Sequence, residues 1–463
     1  MIGRGLKTNH YNLLLLIVII CMGIGLRLFR IGEWSFSIDE LFTLNNAQKL
    51  LASPLTLHKI TEHPSTSLLV YLSTQIFGVS EWGARFLPTI ISIITMPILY
   101  LSVRKLLDNV TALILTFITA IAPWHIFWAQ SVRFYTLLSL LYICALLFFY
   151  WGLEKNKPRY IYLSLLILGI AVSERLLALF FVPVVIVYLL LLIILPFESP
   201  PRLKLNVFYG VIGLGFLFTV FFAWEFIQDI TLWQQIYMTW IGRGPIDVFV
   251  EYIKGIDAPI ALFSFLGAIL GIYKKNRFIL LLTINIAIPL LLLMGISTFQ
   301  FTHNRYMFIS SISSFIIAAW ALQQLIFHQN GKARWITISF VIMMLSIPIN
   351  DLLPYYSNLS GWRIDWKSAN SYVESQFDPD DMLMSNNVEV SHFYSGLKVY
   401  GMDSKPDALE QVNGRYQRVW FIIGGTIRLD HDLHNWVRQH ATIMYSIEPK
   451  LHVYVYDPIQ NDT

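Results

Sequence analysis

Charged residues are scarce in this sequence. They make up 13% of its 463 residues, whereas hydrophobic residues make up 56% and the mean hydropathy is +0.58. Soluble domains carry about 25% charged residues, so the composition excludes an ordinary soluble protein and indicates an integral membrane protein. The formal net charge of +4 is small and scattered along the chain, which argues against a nucleic-acid-binding protein.

Cysteine is scarcer still. The two cysteines, Cys21 and Cys144, both lie in apolar runs, where a thiol packs as a small hydrophobic side chain. Two such residues exclude a disulfide framework and a cysteine-based metal site. We also find no internal repeat and no low-complexity tract, so the sequence is not that of a repeat protein.

Long apolar runs dominate what is present. A bilayer-spanning helix needs about 20 apolar residues, and eleven runs approach that length: 12–30, 84–103, 109–127, 134–151, 160–173, 176–196, 205–224, 259–273, 278–298, 306–327 and 335–350. The first run lacks a small-residue cleavage site and is predicted to be a retained span. The stretch 160–196 is expected to cross twice, with a tight turn at Ser173-Glu174-Arg175.

Basic residues mark alternate connections between the runs, beginning with Arg4 and Lys7 and continuing with Arg104-Lys105. The positive-inside rule places these connections in the cytoplasm. The N-terminus is therefore expected on the cytoplasmic side of a plasma or inner cell membrane. An odd number of spans puts the C-terminus outside, together with a first loop at 31–83 and a second large loop at 225–258.

The composition becomes polar beyond residue 350. The segments 418–423 and 452–456 are typical of strands, and 433–440 is typical of a helix. The sequence therefore predicts a polytopic α-helical membrane protein with two parts. Residues 1–350 are expected to form a transmembrane domain of about eleven helices, and residues 351–463 a small extracytoplasmic soluble α/β domain.

Polar residues suited to chemistry collect at the extracytoplasmic ends of the runs. They are Asp39-Glu40, Glu62-His63-Pro64, Glu81, Arg85, Gln130 to Tyr135, Glu174-Arg175, Arg243 and His303 to Tyr306. Such a set suits an anionic phosphate leaving group and a hydroxyl that must be deprotonated. Simpler explanations exist as well, because acids favour the first turn of a helix and arginines near helix ends contact lipid headgroups. Glu174 could be the local counter-ion of Arg175.

The order of these motifs resembles a known group of enzymes. An N-terminal span is followed by Asp39-Glu40, Glu62-His63-Pro64, Phe77 to Glu81 with Arg85 to Pro88, and Arg133-Phe134-Tyr135. This order resembles the dolichyl-phosphate-mannose protein mannosyltransferase and aminoarabinose transferase-like families, which belong to the GT-C class of membrane glycosyltransferases. The resemblance is strongest over residues 10–180 and returns weakly at 303–306.

The resemblance implies that residues 1–350 are a GT-C-like transmembrane catalytic domain. It also implies transfer of a hexose or pentose from a polyprenyl-phosphate donor to a lipid, glycan or protein hydroxyl, outside the cytoplasm and with inversion at the anomeric carbon. It implies that Asp39 is catalytic and that Glu40 supports it. The implied substrate-binding residues are Arg85, Arg133, Tyr135, Arg175, Arg305 and Tyr306.

A divalent metal ion sometimes accompanies this chemistry in the resembling families. Its implied ligands here are Asp39, Glu62 and His63, although one proline follows His63 where the families have two. The sequence leaves open whether Asp39 is a general base or a metal ligand.

Three other functions compete with glycosyl transfer. A secondary transporter would place its charges near the bilayer midplane within repeated helices, whereas these charges collect at one face. A polyprenyl-diphosphate-dependent polymerase or ligase of surface polysaccharide would share the arginines without requiring the acid pair. A non-catalytic membrane subunit would tolerate loss of Asp39.

Overall fold

The computed structural model describes residues 2–52, 62–195, 197, 244–298, 302–327, 331–357, 361–402, 416–425, 431–447 and 451–457. The chain divides into two compact units. The first contains Met1–Phe29, Leu55–Leu69 and Phe86–Leu353, and the second contains Arg30–Pro54, Val70–Arg85 and Pro354–Thr463. The second unit thus joins the polar C-terminal segment to two earlier segments, which carry Asp39, Glu40 and Arg85.

The described residues are mostly helical. The helices are α1 (Ile2–Leu28), α2 (Ile38–Ala52), α3 (Pro64–Phe77), α4 (Glu81–Leu106), α5 (Asn109–Ile121), α6 (Pro123–Ala129), α7 (Tyr135–Glu154), α8 (Pro158–Glu174), α9 (Phe181–Ile194), α10 (Pro245–Ile256), α11 (Ala258–Tyr273), α12 (Arg277–Ile296), α13 (Phe308–Phe327), α14 (Lys332–Ser357), α15 (Trp366–Gln376), α16 (Val388–Ser395) and α17 (His431–His440). Short 3₁₀ turns at Leu176–Phe180 and Asn304–Met307 precede α9 and α13.

Six helical segments of the described chain are long and apolar enough to cross a membrane: His10–Leu28, Glu81–Leu106, Tyr135–Glu154, Leu176–Ile194, Arg277–Ile296 and Arg305–Ile326. Two bent pairs raise the number to eight if each pair is one span. They are α5 with α6, bent by 61°, and α10 with α11, bent by 103°. The protein is therefore a multi-pass membrane protein. The described residues do not reach the expected eleven spans, and the run at 205–224 lies outside them.

The helix ends follow local sequence signals. The expected break at Ser173-Glu174-Arg175 is present, because α8 ends at Glu174 and Arg175 is extended. The bend between α5 and α6 falls at Pro123, which has no amide hydrogen to continue a helix. Asp108 begins α5 by accepting the amide of Thr111 at 2.9 Å.

Buried polar side chains connect the helices of the first unit. Asn285 of α12 accepts the Tyr142 hydroxyl of α7 at 2.8 Å and donates to Ser313 of α13 at 2.9 Å. His125 of α6 pairs with Ser311 of α13 at 2.8 Å. Such bonds satisfy polar groups that a bilayer cannot solvate, so they specify which helices pack together.

The second unit contains a five-stranded sheet. Its strands are β1 (Met382–Ser385), β2 (Val399–Gly401), β3 (Val419–Gly424), β4 (Thr442–Ile447) and β5 (Leu451–Tyr456), in the order β2-β1-β3-β5-β4. The first three in that order are parallel, and β5 pairs antiparallel with β3 and β4. Both segments expected to be strands overlap β3 and β5. Every residue of β3 is buried, as a continuous apolar run predicts for a covered strand.

Candidate active site

The acid pair lies in the first turn of α2, where a carboxylate is favoured by the helix dipole. Ser37 and Glu40 have the spacing of a capping box. The Ser37 amide donates to Glu40 Oε2 at 2.9 Å, and the Glu40 amide donates to Ser37 Oγ at 3.4 Å. Glu40 is buried, whereas Asp39 is partly exposed. The two neighbouring acids therefore occupy different environments.

Arg85 is the main partner of Glu40. Its Nε and Nη2 donate to the two carboxylate oxygens at 3.0 and 3.1 Å. Its other three N–H groups donate to backbone carbonyls of the segment before α2: Ile31 at 3.1 Å, Trp34 at 2.7 Å and Ser35 at 3.0 Å. A guanidinium has five N–H donors, so every donor of this fully buried side chain is used within the second unit.

Arg363 adds a second positive charge beside Glu40. Its Nε lies 3.8 Å from Glu40 Oε2, and its side chain is 5% exposed. Burial by itself would raise the pKa of Glu40, but the charges of Arg85 and Arg363 outweigh burial and lower it to about 2. Sequence reasoning missed Arg363. The one available signal was an arginine flanked by Trp362 and Asp365 at the start of the polar C-terminal region.

The segment leading into α2 is also held by the C-terminal region. Phe36 donates its amide to the Tyr394 hydroxyl at 2.7 Å, and that hydroxyl donates to Glu81 at 3.1 Å. Lys367 lies 3.2 Å from the same Glu81 oxygen. These contacts come from residues remote in sequence, and they position the turn that carries the acid pair.

In the first unit, Glu174 caps the start of α3. Its carboxylate accepts the amide of Thr66 at 3.2 Å, the Thr66 hydroxyl at 2.6 Å and the amide of Ser65 at 2.5 Å. These amides belong to the first helical turn, which lacks internal acceptors. The explanation of Glu174 as a local counter-ion of Arg175 therefore gives way to a helix cap supplied from α8.

His63 lies directly before this cap. Its ring stacks on Phe134 with 4.0 Å between centroids, and its Nδ1 lies 2.5 Å from the Glu174 carbonyl oxygen. The side chain is buried, whereas Glu62 is exposed. His63 thus joins α3, α8 and the turn before α7.

Three of the predicted arginines converge near that turn. The guanidinium carbon of Arg133 lies 5.2 Å from the centre of the Phe134 ring, and that of Arg175 lies 5.8 Å from the same ring. Arg133, Arg175 and Arg305 all interact electrostatically with Tyr135, as does Tyr306. We call Arg133, Arg175 and Arg305 the arginine cluster. Like charges brought together around one buried tyrosine favour an anion among them.

The structure thus brings Arg133, Tyr135, Arg175, Arg305 and Tyr306 together, with His63 beside them through Phe134. Asp39, Glu40 and Arg85 belong to the second unit. Arg243 lies outside the described residues. Within the described ranges, no three His, Cys, Asp or Glu side chains gather into a potential metal site.

Comparisons with known proteins bear on the family and the fold. The model of the dolichyl-phosphate-mannose-protein mannosyltransferase family matches residues 62–224. The structure is similar to that of ArnT from Cupriavidus metallidurans in the apo state, with a TM-score of 0.61 and 13% identity over 98% of this chain and 99% of that one. The fold is that of a GT-C glycosyltransferase. The resemblance seen in the motifs is confirmed.

Two further structures share this GT-C fold. ArnT bound to undecaprenyl phosphate matches with a TM-score of 0.59 and 13% identity over 95% of this chain and 97% of that one. The oligosaccharyltransferase of Archaeoglobus fulgidus, in complex with Zn and sulfate, matches with a TM-score of 0.59 and 12% identity over 95% of this chain and 72% of that one. Among curated protein sequences, none matches this chain.

Proposed function

We propose that this protein transfers a sugar from a polyprenyl-phosphate donor to an acceptor hydroxyl, with inversion at the anomeric carbon. The observation that carries the proposal is the arginine cluster around Tyr135 in a chain with the GT-C fold. A relative of the same fold, ArnT, is known bound to undecaprenyl phosphate. A phosphate monoester that leaves with its lipid is the anion that such a cluster suits.

The arginine cluster is assigned to the donor phosphate. As the bond between the anomeric carbon and the phosphate oxygen breaks, that oxygen keeps the electron pair and the phosphate gains negative charge. Guanidinium groups already held in place stabilise this charge more in the transition state than in the ground state. Tyr135 and Tyr306 are assigned to the same end of the donor, because Tyr135 interacts with all three arginines and with Tyr306.

Asp39 is assigned as the general base. The acceptor oxygen forms its bond to the anomeric carbon as the lipid phosphate leaves, and the hydroxyl proton passes to the Asp39 carboxylate. Asp39 suits this role better than Glu40, because Glu40 is buried and both its oxygens face Arg85. Glu40 is then the supporting residue that fixes the first turn of α2.

Arg85 is reassigned within this proposal. The sequence predicted a substrate-binding arginine, but all five of its N–H donors bond to Glu40 and to backbone carbonyls. We assign it the structural role of anchoring the acid pair. A divalent cation stays a candidate cofactor, since the Archaeoglobus enzyme was crystallised with Zn; when bound, such a cation would act as a Lewis acid on the leaving phosphate.

The proposed topology places the N-terminus in the cytoplasm and residues 351–463 outside, in a plasma or inner cell membrane. The basic connections between the apolar runs support this orientation. The acceptor is a hydroxyl of a lipid, a glycan or a protein reached from that outer side.

The deciding experiment supplies membranes containing the protein with a panel of labelled polyprenyl-phosphate sugars, each with a hexose or a pentose. We expect one donor to lose its label to an acceptor in wild type and none to do so in Asp39→Asn. The Asn side chain keeps the size of Asp39 and removes its basicity. Use of polyprenyl-diphosphate donors instead would favour the polymerase or ligase function and contradict the proposal.

A further inference from the structure

The bend between α5 and α6 leaves backbone groups to be satisfied. Pro123 has no amide hydrogen, so the carbonyl of Thr119, four residues earlier, lacks its helical donor. Arg27 of α1 supplies one: its Nη2 donates to Thr119 O at 2.8 Å, and its Nη1 donates to Ala120 O at 3.0 Å. The guanidinium therefore occupies the opening of the bend.

Arg27 also bonds to α4 and to its own helix. Its Nε donates to Ser92 Oγ at 2.9 Å, and Nη1 donates to Gly23 O at 3.2 Å. The side chain is fully buried. Burial of a guanidinium is costly unless its donors are satisfied in good geometry. The rigid fork of Arg27 therefore holds α1, α4 and the bend in one arrangement.

Gln130, at the end of α6, makes the converse contact. Its Nε2 donates to the carbonyls of Arg27 at 3.1 Å and Phe29 at 2.9 Å, and more weakly to Leu26 at 3.3 Å. These carbonyls end α1, where helical donors run out. The end of α5 thus receives donors from α1, and the end of α1 receives donors from the residue that follows α6. We call Arg27 and Gln130 the reciprocal clamp.

The residues assigned to the donor phosphate follow the reciprocal clamp directly. Arg133 and Tyr135 come just after Gln130 in sequence. The same turn is held on its other side, since Thr89 of α4 donates to the Ala129 carbonyl at 2.7 Å. The backbone that leads to Arg133 and Tyr135 is therefore held by bonds that involve neither of these side chains.

We propose that the reciprocal clamp positions Arg133 and Tyr135 for the phosphate of the lipid-linked donor, so that Arg27 and Gln130 are positioning residues of the reaction. The inference rests on the proposed function. A small loosening of this turn would move the Arg133 guanidinium away from the phosphate and weaken the charge-assisted hydrogen bonds between them, which is measurable as weaker phosphate binding.

The test measures binding of undecaprenyl phosphate and of undecaprenol, which has the same tail and no phosphate, to the purified full-length protein. Gln130→Leu keeps most of the volume and removes the donors. We expect its affinity for undecaprenyl phosphate to fall about tenfold or more, with affinity for undecaprenol unchanged. Arg27→Lys keeps the charge and loses the fork, and is expected to show a smaller loss of the same kind.

Two controls make the result specific. Ser164→Ala removes another buried bond between helices, from Ser164 Oγ to the Ala145 carbonyl at 2.7 Å, and should change neither affinity. Arg133→Ala should weaken binding of undecaprenyl phosphate directly. If Arg133→Ala weakens binding and Gln130→Leu does not, the reciprocal clamp has no positioning role.

Other outcomes are equally decisive. Equal losses for undecaprenol and undecaprenyl phosphate in Gln130→Leu would show a merely structural role and overturn the inference. Normal phosphate binding by Arg133→Ala would overturn the assignment of the arginine cluster, and the inference with it. If Gln130→Leu fails to fold, Arg27→Lys is judged by the same comparison of the two lipids.

Discussion

Replacement of Glu40 by glutamine tests the charge network beneath the acid pair. The ordinary pKa of this carboxyl is 4.5 and its folded value is about 2. At about 1.36 kcal/mol for each tenfold change in an ionisation constant, that difference corresponds to about 3 kcal/mol of folding free energy. Removing one partner of a buried ion pair costs about 3–5 kcal/mol, so the estimate from the pKa and the estimate from the ion pair agree. Glu40→Gln should therefore destabilise the second unit by about this amount.

The assay is thermal unfolding of the purified protein in detergent, followed by tryptophan fluorescence at pH 7. A domain of 150–250 residues loses about 2–4 °C for each kcal/mol, so Glu40→Gln should lower the melting temperature by roughly 6–12 °C. Glu33→Gln is the matched control. Glu33 pairs with Arg30, but its side chain is 53% exposed, and exposed pairs contribute at most about 1 kcal/mol.

The same carboxylate predicts a pH dependence. Its folded pKa lies below its ordinary value, so its contribution to stability is complete above about pH 5 and is lost as the pH falls toward 2. Wild type should therefore lose stability between pH 5 and pH 3 more steeply than Glu40→Gln. Two results together would refute the network as a source of stability. They are equal melting temperatures for Glu40→Gln and Glu33→Gln at pH 7, and an equally steep loss of stability in wild type and Glu40→Gln between pH 5 and pH 3.

Four further predictions concern the remaining assignments. Asp39→Asn should abolish sugar transfer with an unchanged melting temperature, and wild-type turnover by this variant would refute Asp39 as the base. Arg133→Ala and Arg175→Ala should each raise KM for the lipid-phosphate donor by about tenfold or more, since a charge-assisted contact contributes about 1.5–3 kcal/mol; normal donor use by both would contradict the phosphate assignment. Glu174→Gln should lower the melting temperature by weakening the cap of α3, at a cost of about 1 kcal/mol, and an unchanged value would show that the cap adds no stability. Reporter fusions after residue 160 should read as cytoplasmic and those after residue 400 as extracytoplasmic; a cytoplasmic signal at 400 would overturn the odd number of spans.

The helices could be placed from local patterns. The apolar run at 134–151 corresponds to α7 at Tyr135–Glu154, and the run at 84–103 corresponds to α4 at Glu81–Leu106. The length of an apolar run is a property of that segment alone, so it can be determined without knowledge of the fold. The first-turn position of Asp39 and Glu40 was open to the same reasoning, because the favourable interaction of acids with a helix N-terminus is local.

The roles of individual residues in the candidate site were harder to predict from the sequence. Glu174 and Arg175 are adjacent in sequence, yet Glu174 caps α3, which begins at Pro64. Arg85 looked like a substrate ligand, yet its donors are consumed by Glu40 and three carbonyls. A charged side chain takes whichever partners the fold presents, and these partners lie far away along the chain.

The sequence by itself determined that this is a membrane protein, where its main helices lie, and which enzyme families its motifs resemble. Tertiary structure alone decided that Arg133, Arg175 and Arg305 share Tyr135, that Arg363 joins Glu40, and that the buried Arg27 fills the bend at Pro123. The physical reason is the range of the forces involved. Hydrophobicity along a helix is summed over neighbours in sequence, whereas a buried charge or an unpaired carbonyl is satisfied only by groups that folding brings within hydrogen-bond distance.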